Sequence, residues 1–368
     1  MRRFLTLLTT FLLLAFLISP TANAATVVVI SEPTHRLSDG VFFDDLLAQK
    51  LTPTGELGAL VFARNNSATV WQIDPATISE VVAMSNGYGV QGGAVASGQI
   101  VATQWLAQFK KVTRFERVSS MPYGNPSGYW INKIFKDDSA YLNAISEISL
   151  EAVLGKATDG VLAFNTKQQS ISKPNLNILN YAQRQIDLLS SLVGQKELSV
   201  EQLRLMQLLN PNIEDKKLNT LIQDYDQAIN DMRSKLKIKS TKFTVTSEIE
   251  ELPVTIVNEF NSTVKLKLST RAINSKVEVA PVEIIDLLPQ SKQQVLLPVQ
   301  VLAPGDSQLL AQLTNLENKP VGYPVYINLK LSVISPVATW ITSGAAVLLL
   351  IALLIQVFVG LGGKNNVR

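Results

Sequence analysis

Among 368 residues there is one histidine, His35, and there is no cysteine. That inventory excludes thiol nucleophiles, Cys-ligated metal centres, disulfide frameworks and multi-His metal sites, and it allows a Ser-His-Asp arrangement in one place only. Carboxylates are the groups left for acid–base work. Hydrolysis of a glycan needs two carboxyl groups roughly 5–10 Å apart. Asp74 and Glu32 each follow an apolar strand-like run and suit that role, with Asp74 the catalytic candidate. A rival reading makes Asp74 the N-cap of a helix opened by Pro75. His35 offers a general base with Asp39 or Asp44, although its surroundings read as a surface loop. Aromatic faces stack on sugar rings through apolar contact. Trp71, Tyr123 and Trp130, with Asp74 and Asn125, are therefore the candidate ligand-binding residues, and Tyr129 adjoins them.

Other patterns carry less chemistry. Gly87, Gly89, Gly92 and Gly93 lack the Gly-Lys-Ser/Thr and the preceding strand of a phosphate loop. Asp44-Asp45 and Asp137-Asp138 have no further ligands nearby and read as solvated helix ends. Asn65-Asn66-Ser67 and Asn261-Ser262-Thr263 match the N-glycosylation acceptor pattern. The expectation is no metal and no cofactor.

The elements that must position these residues form an α+β multidomain chain. Residues 25–165 alternate strand-like and helical patterns, which predicts an α/β domain, either a partial barrel or an open, mostly parallel sheet. Its strand candidates are Thr26–Ile30, the apolar run Leu57–Phe62, Thr69–Ile73 and Phe115–Met121. In such sheets ligands collect at the carboxyl ends of strands, which places Asp74 and the Pro122–Asn125 turn on the rim. Residues 166–239 read as a helical extension, with Ser199-x-x-Gln202 as a capping box and the stripe Leu218, Leu221, Ile222, Tyr225, Ile229, Met232, Leu236 as its most regular amphipathic face. Residues 240–334 switch to period two, as in Val264/Leu266/Leu268 and Val295/Leu297/Val299, which predicts an Ig-like β-sandwich.

Both ends read as membrane-directed. Met1-Arg2-Arg3, the apolar run Phe4–Ile18 and Ala22-Asn23-Ala24 form a signal peptide over 1–24. Residues 337–361 carry no charge and predict a single transmembrane helix, followed by a cytoplasmic tail over 362–368. The body would then lie outside the cytoplasm. Arg2, Arg3, Lys364 and Arg368 contribute +4 to a formal net charge of +3, so the body carries −1, is close to neutral and offers no footprint for nucleic acid.

Several segments resemble a known family. Trp71-Gln72-Ile73-Asp74-Pro75, Ala102-Thr103-Gln104-Trp105-Leu106, Met121-Pro122-Tyr123-Gly124-Asn125-Pro126, Leu252-Pro253-Val254-Thr255-Ile256-Val257-Asn258 and Ile341-Thr342-Ser343-Gly344-Ala345-Ala346 occur in that order. Together they are similar to a family of uncharacterised actinobacterial envelope proteins, the "glycoprotein" or DUF6049 family, over roughly residues 57–135 and 241–361. The resemblance implies a signal peptide, an α/β region distantly like polysaccharide-processing barrels, an Ig-like domain and one C-terminal helix. Members are generally longer, so this chain looks like a shortened one. The family's genes tend to lie near that of a lipid II flippase, which implies a cell-wall setting. Its proline-tyrosine turn is followed by acidic residues, where this chain has Gly124, Asn125 and Ser127. That departure tells against hydrolysis.

The expected function is a membrane-anchored, extracytoplasmic, non-catalytic scaffold or binding module in cell-wall assembly. Its expected partners are the membrane, cell-wall glycan or wall-synthesis membrane proteins. A second reading is a glycan-binding or glycan-hydrolysing protein with a degenerate α/β barrel site. A third is a structural partner of another membrane protein through the transmembrane helix, whose Ser343-Gly344-Ala345-Ala346 run permits close helix approach.

Overall fold

A computed structural model describes residues 26–63, 69–135, 139–239, 242–281, 284–332 and 336–362. The expected signal peptide, Asn65-Asn66-Ser67, the Asp137-Asp138 pair and residues 363–368 of the expected tail lie outside the described residues. The chain divides into two compact units. One comprises Met1–Leu179 with Leu203–Tyr225, the other Asn180–Gln202 with Asp226–Arg368.

The first unit is built on three parallel strands, β1 (Thr26–Ile30), β2 (Thr69–Ile73) and β3 (Arg117–Ser120), in the order β1-β2-β3. β1 pairs with β2 from Thr26↔Thr69 to Ile30↔Ile73, and β2 with β3 from Val70↔Arg117 to Ile73↔Ser120. Helices α1 (Leu46–Lys50) and α2 (Glu56–Phe62) connect the first two strands, and α3 (Pro75–Ser85) and α4 (Gln99–Thr113) the next two. Right-handed crossovers running in one direction across a sheet put their helices on one face. The burial pattern follows that rule: Val28, Ile30, Trp71 and Ile73 are buried with Val61, Ile78, Trp105 and Phe109, whereas Val27 and Val29 on the opposite face are exposed.

Beyond β3 come α5 (Gly128–Ile134) and α6 (Ser139–Leu154). The run Leu57–Phe62, expected as a strand, is the body of α2. Its tight packing explains the change: a Cβ on Gly58 would stand 1.6 Å from the Thr52 carbonyl oxygen. Only glycine lets the helix lie that close to the preceding turn.

α7 (Lys173–Val193), α8 (Ser199–Leu208) and α9 (Asp215–Arg233) follow, each contributing residues to both units. The capping box expected at Ser199 is replaced by another arrangement. Ser199 already has helical backbone angles, and its hydroxyl donates to the Lys196 carbonyl at 3.0 Å.

The second unit has the expected Ig-like β fold. Strands β4 (Leu236–Lys239), β6 (Ile249–Asn258), β8 (Val277–Val279) and β10 (Ser291–Val301) make one sheet in the order β4-β6-β10-β8. β5 (Lys242–Val245), β7 (Val264–Ala272), β9 (Ile285–Leu287), β11 (Gly305–Thr314) and β12 (Pro320–Leu331) make the other, in the order β5-β12-β11-β7-β9. Alternate residues such as Val254, Ile256, Leu266, Leu297, Val299, Ile327 and Leu329 are buried, so each sheet hides one face. Gly322, at φ 67, passes so close to β4 that a Cβ would stand 2.4 Å from the Leu236 carbonyl oxygen.

The expected fold class needs correction at two points. The partial barrel is not formed: the three strands make an open parallel sheet, and among the described residues the free edge of β3 is bordered by the 159–162 segment, through Asp159 N–H to the Val118 carbonyl (2.7 Å), Ser120 N–H to the Gly160 carbonyl (2.9 Å) and Leu162 N–H to the Ser120 carbonyl (2.8 Å). Ten α-helices among the described residues supply most of the remaining structure. The single transmembrane helix expected over 337–361 is also overturned, since among the described residues no helix is long and apolar enough to cross a membrane. A helix, α10, spans Pro336–Gly362.

Candidate functional site

The carboxyl ends of β1, β2 and β3 bring three of the five predicted residues together: Asp74, Tyr123 and Asn125. Asp74 is fully buried at the start of α3, where Pro75 occupies the first helical position. Its Oδ1 accepts the Ala76 N–H at 2.9 Å and the Gly124 N–H at 2.7 Å, and its Oδ2 accepts the Thr77 hydroxyl at 3.2 Å. Asp74 therefore caps a helix, as the sequence allowed, and also clamps the 122–125 turn. Burial pushes its carboxyl up to about 7, helped by the Glu80 carboxylate and opposed by those three donors.

The turn itself is held in an unusual shape. Gly124 and Asn125 both have positive φ, 77 and 47. A Cβ on Gly124 would lie 2.7 Å from Gln207 Cα, and Asn210 Nδ2 donates to the Gly124 carbonyl at 2.8 Å. Asn125 Nδ2 reaches Ser31 Oγ at 3.3 Å and its Oδ1 accepts from Asn165 Nδ2 at 3.3 Å. Tyr123 is nearly buried. Its N–H donates to Ser146 Oγ at 2.9 Å, and burial pushes its phenol up to about 12.

The other two predicted residues lie elsewhere. Trp71 sits in the core under the helices, edge-on to Phe109, which stacks on Trp105. Trp130 is buried on α5, where its indole N–H donates to the Gln169 carbonyl at 2.9 Å. Tyr129 beside it is exposed, with the Lys133 ammonium 4.3 Å from its ring centre.

Sequence reasoning missed the polar residues that close the strand ends. Glu80 on α3 is buried and accepts from Thr34 Oγ1 (2.5 Å), the His35 N–H (2.9 Å) and Gln207 Nε2 (3.3 Å). Arg204 on α8 is buried too. It donates to Thr34 Oγ1 at 2.9 Å and to the Arg36 carbonyl, and it lies 3.9 Å from Asp224. One signal was available: Arg204 and Gln207 interrupt the apolar run Leu203–Leu209, and both side chains need polar partners once that run is buried.

His35 is buried rather than on a surface loop, with 2% of its surface exposed. Its Nδ1 is 2.6 Å from Asp44 Oδ1 and its Nε2 3.2 Å from Glu32 Oε1, while Lys217 Nζ stands 3.1 Å from Nδ1. Glu32 also accepts from Lys50 Nζ at 2.8 and 3.0 Å. Burial pulls the imidazole down, but the hydrogen bonds to Asp44 and Glu32 outweigh it and leave His35 above its ordinary value. Burial acts upward on Asp44, whereas His35 and Lys217 hold its carboxyl down to about 2. Among the described residues no cluster of three or more His, Asp or Glu side chains is arranged to hold a metal ion.

Chemically, the strand ends are a hydrogen-bonded seam. A carboxyl near neutrality is the group a general acid needs, yet Asp74 is spent on two backbone N–H groups and a hydroxyl.

No curated protein matches the chain. Among solved structures, an MSP family member from C. elegans, WR4, is 13% identical, with a TM-score of 0.21, over 27% of this chain and 98% of that one. E. coli alpha-2-macroglobulin in its native conformation is 18% identical, with a TM-score of 0.21, over 26% of this chain and 6% of that one. The PapD-like domain 7 of human CEP192 is 16% identical, with a TM-score of 0.21, over 27% of this chain and 86% of that one. Likenesses this slight carry nothing about what the chain does. A family model, by contrast, matches residues 134–358, well over half of the chain. The chain therefore belongs to the family of unknown function DUF6049.

Proposed function

We propose that this chain is a non-catalytic scaffold or binding module working outside the cytoplasm in cell-wall assembly, as a shortened actinobacterial member of its family. The observation that carries the proposal is the state of the strand ends. Asp74 is fully buried and committed to Ala76, Gly124 and Thr77, and Gln207 and Asn210 press on the adjacent turn. A group so engaged has no face to offer a substrate, and Trp71, Tyr123 and Trp130 are too buried to stack on a sugar ring. The leader-like start Met1–Ala24 supports the compartment, and wall-synthesis proteins are the proposed partners.

Photo-crosslinking in cells tests this, with the probe at exposed positions 129 in the first unit and 296 in the second. Adducts with wall-synthesis proteins support a scaffold. Turnover of a wall polymer by the purified chain, lost in Asp74→Asn, overturns it. One observation favours the glycan-binding alternative: Tyr129 keeps an exposed ring beside Lys133. Glycan adducts from position 129, together with lost glycan affinity in Tyr129→Ala, would establish that reading instead.

A further inference from the structure

We propose that His35 is a proton-operated selector, whose Nδ1 is held by Asp44 when the ring is charged and by Lys217 when it is neutral. Both partners are within reach of the same nitrogen, Asp44 Oδ1 at 2.6 Å and Lys217 Nζ at 3.1 Å. They make opposite demands on it. A carboxylate holds Nδ1 only if that atom carries a proton, whereas an ammonium holds it only if the lone pair is free. The other nitrogen, Nε2, lies 3.2 Å from the Glu32 carboxylate and carries the ring proton in both states of the proposed selector.

The imidazolium therefore donates to Asp44 and Glu32 together. Loss of one proton, taken from Nδ1 by water, leaves the Nε2–H tautomer, and its bare Nδ1 accepts from Lys217. Asp44 is not left unpaired, because its Oδ2 lies 3.4 Å from the same ammonium. The charged groups facing the ring are Glu32 on its own segment, Asp44 ahead of α1, Lys217 on α9 and Glu80 on α3, which binds the His35 main-chain N–H. Lys50 on α1 neutralises Glu32 from behind and also meets Glu56 on α2 at 3.1 Å. Protonation thus shifts the hold on the 32–44 segment between its own Asp44 and a residue of α9. Within this unit the switch gives the segment a pH-dependent attachment.

His35 is the single histidine, so nitrogen-15 NMR of the full chain reads its two ring nitrogens without ambiguity. The expected result is both nitrogens protonated below the midpoint, and above it a neutral ring with the proton on Nε2. A neutral ring with its proton on Nδ1 overturns the proposal, and this wild-type measurement decides even if a variant fails to fold. Asp44→Asn should lower the midpoint. Lys217→Met should raise it and shift the neutral ring toward the Nδ1–H tautomer. An unmoved tautomer in Lys217→Met likewise overturns the assignment.

Discussion

Two aspartates of the first unit, Asp74 and Asp44, are both held by hydrogen bonds, yet one carboxyl rises to about 7 and the other falls to about 2. The partners explain the contrast. Asp74 faces two amides and a hydroxyl in complete burial, with Glu80 adding a like charge. Asp44 keeps contact with water and faces an imidazole and an ammonium. At fully buried Asp74 the amides and the hydroxyl do not repay the loss of hydration, whereas at partly exposed Asp44 the opposite charges do. A buried carboxylate at a strand end is therefore an ambiguous mark of chemistry, because the same perturbation arises from a helix cap packed under a turn.

The comparison breaks most visibly at Asp74. Asp74→Ala orphans the N–H groups of Ala76 and Gly124 and should cost about 2–4 kcal/mol in denaturant unfolding followed by tryptophan fluorescence. Asp74→Asn keeps an Oδ1 for both amides and places an N–H toward Thr77. It should cost under about 1 kcal/mol, and it should flatten the dependence on pH. The folded carboxyl is raised, so its contribution is complete below the unfolded value near 3.8 and is lost as pH rises through about 7. Wild type should thus lose stability between pH 4 and 7, and Asp74→Asn should lose less.

Next in size is Gly124→Ala, which meets both a positive φ and the Gln207 backbone. About 1–3 kcal/mol is expected, read as a lowered denaturation midpoint.

His35→Gln should cost about 1–2 kcal/mol at pH 6. The raised imidazole stabilises the fold fully below 6.5 and loses that effect as pH rises through its folded value, so the penalty should shrink by pH 9. An equal penalty at both values would remove the contrast between the two clusters. The smallest effect belongs to the half-exposed pair Lys237–Glu259 of the second unit, where Lys237→Ala should change stability by less than about 0.5 kcal/mol in the same assay.

What the sequence disclosed was local. The β-branched run Thr26–Ile30, the period-two pattern of β6, β7 and β10, and the Asp74-Pro75 helix start depend on neighbours in the chain, and each formed its expected element. Leu57–Phe62 misled because a short apolar run does not distinguish strand from helix. What decides it is Gly58 against the Thr52 carbonyl, which is a matter of packing. The seam was harder still. Glu80 meets Gln207 across 127 positions and Arg204 meets Thr34 across 170, and no spacing rule reaches that far. His35 looked like a loop residue because Glu32, Asp44 and Lys217 surround it only after the chain has folded.

That long reach orders events in time. A ribosome delivers roughly 5–20 residues per second, so β1, β2 and β3 exist for several seconds before Leu203–Asn210 emerges. Through that interval Thr34 lacks Arg204, Glu80 lacks Gln207, and the turn at Gly124 lacks Gln207 and Asn210. The nascent sheet waits with its polar end wet, and the stretch that seals it is among the last of its unit to be made.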